Sequence, residues 1–339
     1  MFNLKSFSLF TVFCGALCCN AAEPYHLSRE IPVDGEGGWD CLRIDGSGHR
    51  LYVSHSSKFV VIDTEKNAIV GEISGTPGAH DIAIAPELGR GFTSNGKENK
   101  SSVVDLATLK TLGKIDTGKN PDIVVYEPSQ KEVWCFNAKG NSITVINAAS
   151  ASVVATIALP GNPEFAACDS SAGKVYCNIE SKNEVGVIDI KTHTLETTWP
   201  IAPGEAASGL AIDLVHHRLF LGCDNQLLVV MDSTNGKVIT SLPIGRHIDG
   251  TVFDPGTQLA FASGGDGTTT IIHEDTPDQF TVVQKLQTEL GAKTMTLDAP
   301  THRIYLGSAK FEALPPGSQE NRPKMIPGTF KVLVYEIAK

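Results

Sequence analysis

The chain has 339 residues, of which 41% are hydrophobic and 19% are charged, so it is long enough to bury a sizeable core in one or two domains. Its formal net charge of −10 argues against nonspecific binding of nucleic acid, which requires clustered Lys and Arg side chains. The 32 glycines and 18 prolines favour a turn-rich β protein over a helical one, because helix interiors exclude both residues.

Residues 1–22 have the pattern of an export signal. A single Lys5 precedes an apolar run that ends near Cys19, and two small alanines follow immediately before Glu23. The run is too short for a lasting membrane anchor, so we expect cleavage, a periplasmic or extracellular location, and no transmembrane segment in the mature chain. Lipidation of Cys18 or Cys19 is the alternative.

Five cysteines lie beyond this segment, and their placement does not suggest a disulfide framework. Four of the five fall inside apolar strand runs, where a buried Cys behaves as a small hydrophobic residue. The one pair that could form a bridge is Cys168 with Cys177, on two strands of the same predicted hairpin. The five are Cys41, Cys135, Cys168, Cys177 and Cys223.

A unit of about 42 residues recurs seven times along the remaining chain. Each complete unit contains four short runs that alternate apolar and polar residues and are separated by turn-forming residues, which predicts four antiparallel strands. The first strand is written CLRID (41–45), DIAIA (81–85), IVVYE (123–127), FAACD (165–169), GLAID (209–213), GTVFD (250–254) and TMTLD (294–298). Each sheet has an apolar face that it cannot bury alone, so we predict an all-β, seven-bladed β-propeller of four-stranded antiparallel blades.

The seventh copy lacks a fourth strand, because the chain ends after the third strand, at 332–338. The alternating run 25–33 precedes the first unit and has no other strand to pair with. We therefore predict that this N-terminal strand completes the last blade and closes the ring, so that no strand edge is exposed at the seam. Residues 23–339 then form a single propeller domain.

These units resemble the YVTN-repeat propellers, the family that includes the YncE-like exported proteins. The resemblance rests on LYVSH (51–55), GNSITVINAASASVVATIALPGNP (140–163) and KVYCNIESKNEVGVIDIKTHT (174–194), and it spans residues 25–339. It implies the propeller fold and an exported binding or surface protein. Related seven-bladed propellers include amine dehydrogenase heavy chains and a streptogramin-cleaving lyase, so the resemblance also admits a scaffold subunit of a periplasmic redox enzyme.

Several polar residues recur once per blade, which indicates a structural role. Acids end six of the seven first strands, where a carboxylate can accept hydrogen bonds from backbone N–H groups of the following turn. His49, His217 and His302 each precede an Arg at the start of a second strand, and we interpret them as turn residues. A zinc site would require convergent histidines or closely spaced cysteine pairs, and the sequence shows neither.

The residue before each predicted first strand departs from the repeat. In this fold that position and the loop between strands two and three open on the same face, around the central channel, where propellers usually bind. We therefore predict a ligand-binding channel mouth, flanked by Trp39 and His247. Its residues are Asp40, His80, Asp122, Glu164, Ser208, Asp249 and Lys293. The loops between strands two and three add His55, Asn95, Lys97, Asn137, Lys139, Asn178, Glu180, Lys182, Asp224 and Asp266.

The loop between strands two and three of the seventh copy, residues 310–328, is much longer than its counterparts. Its prolines and mixed charge suit either a cap or docking loop over the channel mouth or a disordered insertion.

Three functions fit this pattern. The first is a binding or scaffold protein whose mixed-charge funnel holds a small polar ligand, a peptide or a protein partner. The second is a hydrolase or lyase assisted by Ca²⁺ or Mg²⁺, with His80 or His247 as the general base. Its metal ligands would be Asp40, Asp122, Glu164 and Asp249. The third is the redox scaffold subunit. No haem-attachment signature, nucleophile elbow or phosphate loop occurs, so we expect no covalent cofactor or nucleotide site.

Overall fold

A computed structural model describes residues 25–33, 35–313 and 324–338 and contains twenty-eight strands in seven four-stranded antiparallel sheets. The sheets form a ring, so the predicted seven-bladed β-propeller is confirmed. The helices in this part of the chain are two single 3₁₀ turns, Pro86–Leu88 and Glu180–Lys182. None of the described helices is long and apolar enough to cross a membrane. The predicted export signal at 1–22 lies outside the described residues.

The strands of each blade follow one another in the sequence. Blade one has β2–β5, at Trp39–Asp45, Arg50–His55, Lys58–Asp63 and Ala68–Ser74. Blade two has β6–β9, at Ala79–Ala85, Arg90–Asn95, Lys100–Asp105 and Thr111–Asp116. Blade three has β10–β13, at Pro121–Glu127, Glu132–Asn137, Ser142–Asn147 and Ser152–Ala158. Blade four has β14–β17, at Pro163–Asp169, Lys174–Ile179, Glu184–Asp189 and Thr194–Pro200.

The remaining blades continue this order up to the seam. Blade five has β18–β21, at Ala207–Asp213, Arg218–Cys223, Leu227–Asp232 and Val238–Pro243. Blade six has β22–β25, at Ile248–Asp254, Leu259–Gly264, Thr268–Thr276 and Gln279–Gln287. Blade seven has β26–β28, at Met295–Asp298, Arg303–Ser308 and Lys331–Ile337, and its outer strand is β1, at Tyr25–Pro32.

The N-terminal strand completes blade seven, as the sequence predicts. β1 pairs antiparallel with β28, from Tyr25 opposite Ile337 to Pro32 opposite Lys331. The Tyr25 hydroxyl donates a hydrogen bond of 2.7 Å to the backbone oxygen of His302, and its ring meets Phe261 of blade six edge to face. The ring is therefore fastened by strand pairing and by contacts that reach the next blade.

Apolar side chains fill the space between adjacent blades. Phe92 and Val103 of blade two pack in one cluster with Val133 and Ile146 of blade three. Phe92 is fully buried, and burial of one such side chain stabilises the fold by roughly 1.5–3 kcal/mol. Because each cluster joins two neighbouring sheets, no blade has a complete core by itself.

The recurring acids hold the turns that join the strands. Asp45, at the end of a first strand, accepts a hydrogen bond of 2.9 Å from the Gly48 amide. Asp105, at the end of a third strand, accepts one of 2.7 Å from the Thr108 amide. The structural interpretation of these acids is confirmed.

The histidines before the second strands occupy a left-handed turn position. His49, His217 and His302 have φ angles of 51°, 57° and 57°, and blades two and four place Gly89 and Gly173 at the same step of the turn. Histidine is one of the residues that tolerate this region. Their interpretation as turn residues agrees with this geometry.

All five described cysteines are free thiols, and four of them are buried. Cys168 lies opposite Val175 in its hairpin, whereas Cys177 lies opposite Ala166. The two side chains are therefore offset in register, and the possible bridge between them does not form.

The closure can be tested by two substitutions on opposite faces of β1. Ile31 is buried and Leu27 is 43% exposed. We expect Ile31→Ala to lower the free energy of unfolding by about 2–4 kcal/mol, because it leaves a cavity at the seam. Leu27→Ala should change it by less than about 0.5 kcal/mol. Chemical denaturation measures both, and equal effects would contradict the role of β1 in closing the ring.

Candidate functional site

Seven side chains, here called the mouth ring, converge where the inner strands begin. The inner strands of blades one to six start two residues earlier than the sequence predicts, and each contains a register shift at this end. Such a bulge places an extra residue in the strand and redirects its side chain. The bulged residues are Asp40, His80, Asp122, Glu164, Ser208 and Asp249, and Lys293 precedes β26.

On one side of the mouth ring, a histidine lies between two carboxylates. The Nδ1 atom of His80 is 2.6 Å from Asp40 Oδ2 and 3.5 Å from Asp122 Oδ1. One possible ligand atom from each of the three residues, a ring nitrogen of His80 or a carboxylate oxygen, lies within 4.8 Å of the other two. The three side chains are only 20–32% exposed, so the charges interact through a partly desolvated environment.

This arrangement raises the pKa of all three groups. Burial raises the pKa of Asp122 to about 7, and the charge of Asp40 adds to the effect. Burial also raises the pKa of Asp40, although the hydrogen bond from His80 opposes the shift. Burial disfavours the imidazolium of His80, but the hydrogen bond to Asp40 and the charge of Asp122 outweigh it and raise the His80 pKa to about 9. At neutral pH His80 is therefore the proton donor to Asp40.

On the other side of the mouth ring, the carboxylate of Asp249 interacts with Ser208 and Lys293. The Ser208 hydroxyl donates a hydrogen bond of 3.0 Å to its Oδ1 atom, and Lys293 Nζ lies 2.5 Å from Oδ2. The Lys293 side chain is 51% exposed while that of Asp249 is 14% exposed, so the ion pair lies at the edge of the mouth. The charge of Asp249 is balanced within the ring.

Glu164 is the acid that lacks such a partner. Among the described residues, no side chain forms a hydrogen bond or an ion pair with its carboxyl group. Burial, together with the negative charges of Asp122 and Glu180, raises the pKa of Glu164 to about 8. An ionised Glu164 therefore adds a negative charge that no side chain in the described ranges compensates.

A cavity of about 900 Å³ opens at the mouth, and only part of the mouth ring lines it. Glu164, Ser208, Asp249 and Lys293 face this cavity, together with His247, which is exposed. The cluster of Asp40, His80 and Asp122 is not part of the lining. The structure thus divides the mouth ring into the cluster of Asp40, His80 and Asp122, which lies outside the cavity lining, and the residues that face the cavity.

Trp39 and the ends of the long seventh loop form the apolar wall of the cavity. Trp39 stacks on Phe330 with ring centroids 4.8 Å apart, and Phe311 lies 6.1 Å away. Phe311 forms an isolated antiparallel bridge with Met325, which brings the two described ends of the loop together at the cavity. The position of these two loop ends fits a cap over the mouth. Residues 314–323, between them, lie outside the described part of the chain.

Several loop residues predicted to surround the mouth belong to the scaffold instead. Asn95, Asn137 and Asn178 are fully buried, and Asn178 donates to the backbone oxygens of Ser208 and Gly209. His55 is 1% exposed and stacks on Phe330. Glu180 and Asp224 do line the cavity, as predicted.

An ion pair that the sequence pattern did not predict lies just below the mouth, between Arg43, which is partly exposed, and Asp81, which is buried. Arg43 of blade one donates to both carboxylate oxygens of Asp81 in blade two, which is fully buried and also accepts from the Val124 amide of blade three at 3.1 Å. This network ties three inner strands together. Both residues depart from the repeat. At the inner-strand positions equivalent to Arg43 and Asp81, Cys41 is the one other ionisable side chain among the seven blades. The criterion that identified the mouth ring therefore also identifies this pair.

Neither a protein-family model nor a curated protein sequence matches this chain. Among solved structures, the chain is similar to hydrazine synthase from Kuenenia stuttgartiensis, with a TM-score of 0.70 and 16% identity over 81% of this chain and 94% of that chain. It is also similar to U3-55K, with a TM-score of 0.72 and 10% identity over 90% of this chain and 97% of that chain. At this identity the similarity shows the fold alone. The protein is a seven-bladed β-propeller, and its place among the YVTN-repeat proteins stays a prediction.

The charge of Glu164 can be tested through the pH dependence of stability. Its pKa is about 8 in the folded protein and near 4.5 in the unfolded chain, so stability is lost as pH rises through this interval. We expect Glu164→Gln to melt at the same temperature as the parent at pH 4 and roughly 7 °C higher at pH 9. Thermal melts across this range measure the difference.

The control is Glu65→Gln, which removes the same charge from a turn on the opposite face, where Glu65 is 69% exposed. This variant should follow the parent at every pH. If Glu164→Gln also follows the parent, the carboxyl of Glu164 is not destabilised by its surroundings.

Proposed function

We propose that this protein is a binding protein whose mouth cavity takes a small polar ligand with a cationic group. The observation that carries the proposal is the Glu164 carboxyl, which faces a cavity of about 900 Å³ and has no cationic partner among the described residues. A bound amine or guanidinium group supplies the missing positive charge and forms a charge-assisted hydrogen bond. The ion pair of Asp249 and Lys293 and the Ser208 hydroxyl lie in the same cavity and provide further polar contacts.

The shape and polarity of the cavity support a small ligand. Its volume lies within the range of small-molecule sites, which are mostly apolar with a few convergent polar groups. Trp39, Phe311 and Met325 supply an apolar wall opposite the carboxyl groups. A ligand with a cationic end and a short apolar body is complementary to both parts.

Binding should be strongest at high pH, because the ligand must displace the proton of Glu164. We expect putrescine and arginine methyl ester to bind about tenfold more tightly at pH 8.5 than at pH 6.5 by isothermal titration calorimetry. Glu164→Gln should weaken binding at pH 8.5 by about tenfold, while Glu65→Gln should leave it unchanged. Equal binding of a carboxylate of the same size, such as succinate, would contradict the proposal.

A second candidate function is a metal-assisted hydrolase or lyase. It is favoured by the proximity of Asp40, His80 and Asp122, whose donor atoms could hold one ion. This set differs from the predicted four carboxylates, because Glu164 and Asp249 face the cavity. The imidazolium of His80 already neutralises part of the cluster, so a divalent ion must displace its proton. Titration of the same protein with Mg²⁺ and Ca²⁺ tests this candidate, and heats of binding that Asp122→Asn abolishes would support it.

The redox scaffold function rests on resemblance alone. Export is a further proposal, supported by the signal pattern of residues 1–22, and the intact mass of the secreted protein tests it. Cleavage after Ala22 gives a chain that begins at Glu23, whereas an added diacylglycerol mass would indicate the lipidated alternative.

A further inference from the structure

A second group of ionisable side chains lies on the face opposite the mouth ring, between blades five and six. Asp213 ends β18, His216 lies in the turn that follows, and Glu274 is near the end of β24. His216 Nδ1 is 2.7 Å from Asp213 Oδ2 and 3.0 Å from Glu274 Oε1. The turns after first strands and after third strands share this face, because neighbouring strands run antiparallel.

Both Glu274 and His216 depart from the repeat, and they meet each other. At the position of Glu274 the other blades carry Thr64, Leu106, Ala148, Ile190, Ser233 and Ile337. At the position of His216 the other blades carry Gly48, Leu88, Gln130, Ala172, Thr257 and Thr301. The repeat therefore requires neither a carboxylate nor an imidazole at these steps. Two such departures from different blades converge on one point, which a purely structural repeat does not explain.

The carboxyl of Glu274 is buried without a hydrogen bond. Its side chain is 1% exposed, and neither oxygen accepts a hydrogen bond from a described residue in acceptable geometry. The Nδ1 atom of His216 also forms none. A buried carboxylate without a well-aligned donor is costly, so it requires a proton or a cation. A protonated His216, 3.0 Å away, is one source of that charge, and a metal ion is another. Burial raises the pKa of Glu274 to about 7, with a further contribution from the charge of Asp213.

The nearest arginine does not supply the missing charge by direct contact. Arg218 uses its Nε to donate to the backbone oxygen of Pro277 at 2.6 Å and one terminal nitrogen to contact Asp278 at 3.1 Å. Its other terminal nitrogen donates to the backbone oxygens of His216 and His217. Asp213 is better satisfied, because the Val215 amide donates to it at 2.9 Å.

We propose that Asp213, His216 and Glu274 bind a divalent transition-metal ion, with Zn²⁺ as the best fit, that links blades five and six. One imidazole nitrogen with two carboxylate oxygens is a ligand set suited to Zn²⁺, whereas Ca²⁺ and Mg²⁺ prefer oxygen alone. Donors around a tetrahedral Zn²⁺ lie about 3.4 Å apart, so the observed 2.7 and 3.0 Å require only small outward movements. His216 is 27% exposed, which leaves the fourth position accessible to water.

This ligand set was not visible to the sequence interpretation, which looked for several histidines or for cysteine pairs. Asp213 was assigned to the turn scaffold, and Glu274 lies 58 residues further along the chain than His216. Only the packing of one blade on the next brings the three together.

The test uses the full mature chain, stripped with EDTA and then titrated with Zn²⁺ at pH 7.5. We expect binding of about one equivalent, measured by elemental analysis after desalting, and an upward shift of the melting midpoint on the order of 5 °C. Mg²⁺ and Ca²⁺ should give no comparable shift. His216→Asn and Glu274→Ser should both lose the bound zinc and the shift, and Ser233 shows that the fold accepts Ser at the second position.

Two control variants locate the ion. His217→Asn changes the adjacent histidine, which lies in a left-handed turn that Asn tolerates, and it should bind zinc like the parent. His80→Asn removes the histidine of the mouth ring and should also bind zinc like the parent. Zinc that is lost in His80→Asn but kept in His216→Asn overturns the proposal, as does a wild-type protein that neither retains zinc nor shifts its melt.

Discussion

The antiparallel pairing of β1 with β28 is the interaction on which the rest of the structure depends. It joins the two ends of the described chain, supplies the outer strand that the seventh repeat lacks, and buries an edge that would otherwise be open to association with other chains. Because the apolar clusters lie between blades, each sheet is stable only when both neighbours are present. The closed ring fixes the seven inner strands around one axis, and every position of the repeat then occurs seven times at comparable distance from that axis.

The ring brings residues that differ between the repeats together on one surface around the channel. A bulge at the start of each inner strand of blades one to six directs one side chain toward the channel, and the repeat places charged residues of both signs there. The backbone pairing keeps these groups from moving apart, so the carboxyl groups raise one another's pKa. His80 and Lys293 compensate Asp40 and Asp249, whereas Glu164, beside the cavity, has no such partner in the part of the chain that the structure describes. The interblade packing holds these acids close together, and this proximity keeps their pKa values high.

The fold could be predicted because the repeat is long, regular and unfinished in its last copy. The mouth ring could be predicted for the same reason, since register alone brings equivalent residues together. The division of the ring into the cluster of Asp40, His80 and Asp122 and the residues that face the cavity depends on side-chain packing, which the pattern does not encode. The prediction that Asn95 and Asn178 surround the mouth was wrong, because both side chains are buried. A polar side chain near a loop can form hydrogen bonds with buried backbone groups instead of facing solvent.

The departures that the sequence interpretation overlooked lie at positions assigned to the scaffold. Arg43 and Asp81 stand inside inner strands, and His216 and Glu274 stand beside turns that otherwise repeat without charge. Departure from the repeat marks each residue, but it does not show which residues contact one another. Only the contact between blades reveals that these departures come in pairs, because a buried charge persists where a second residue compensates it.

The central claim is that Glu164 belongs to one electrostatic unit with the acids of the mouth ring. Nuclear magnetic resonance of protein labelled with ¹³C at the side-chain carboxyl groups measures the titration of Glu164 directly, in the parent and in Asp122→Asn. A midpoint for Glu164 near pH 8 that falls when the charge of Asp122 is removed is the predicted result. A midpoint near the ordinary 4.5 that Asp122→Asn leaves unchanged would contradict the account.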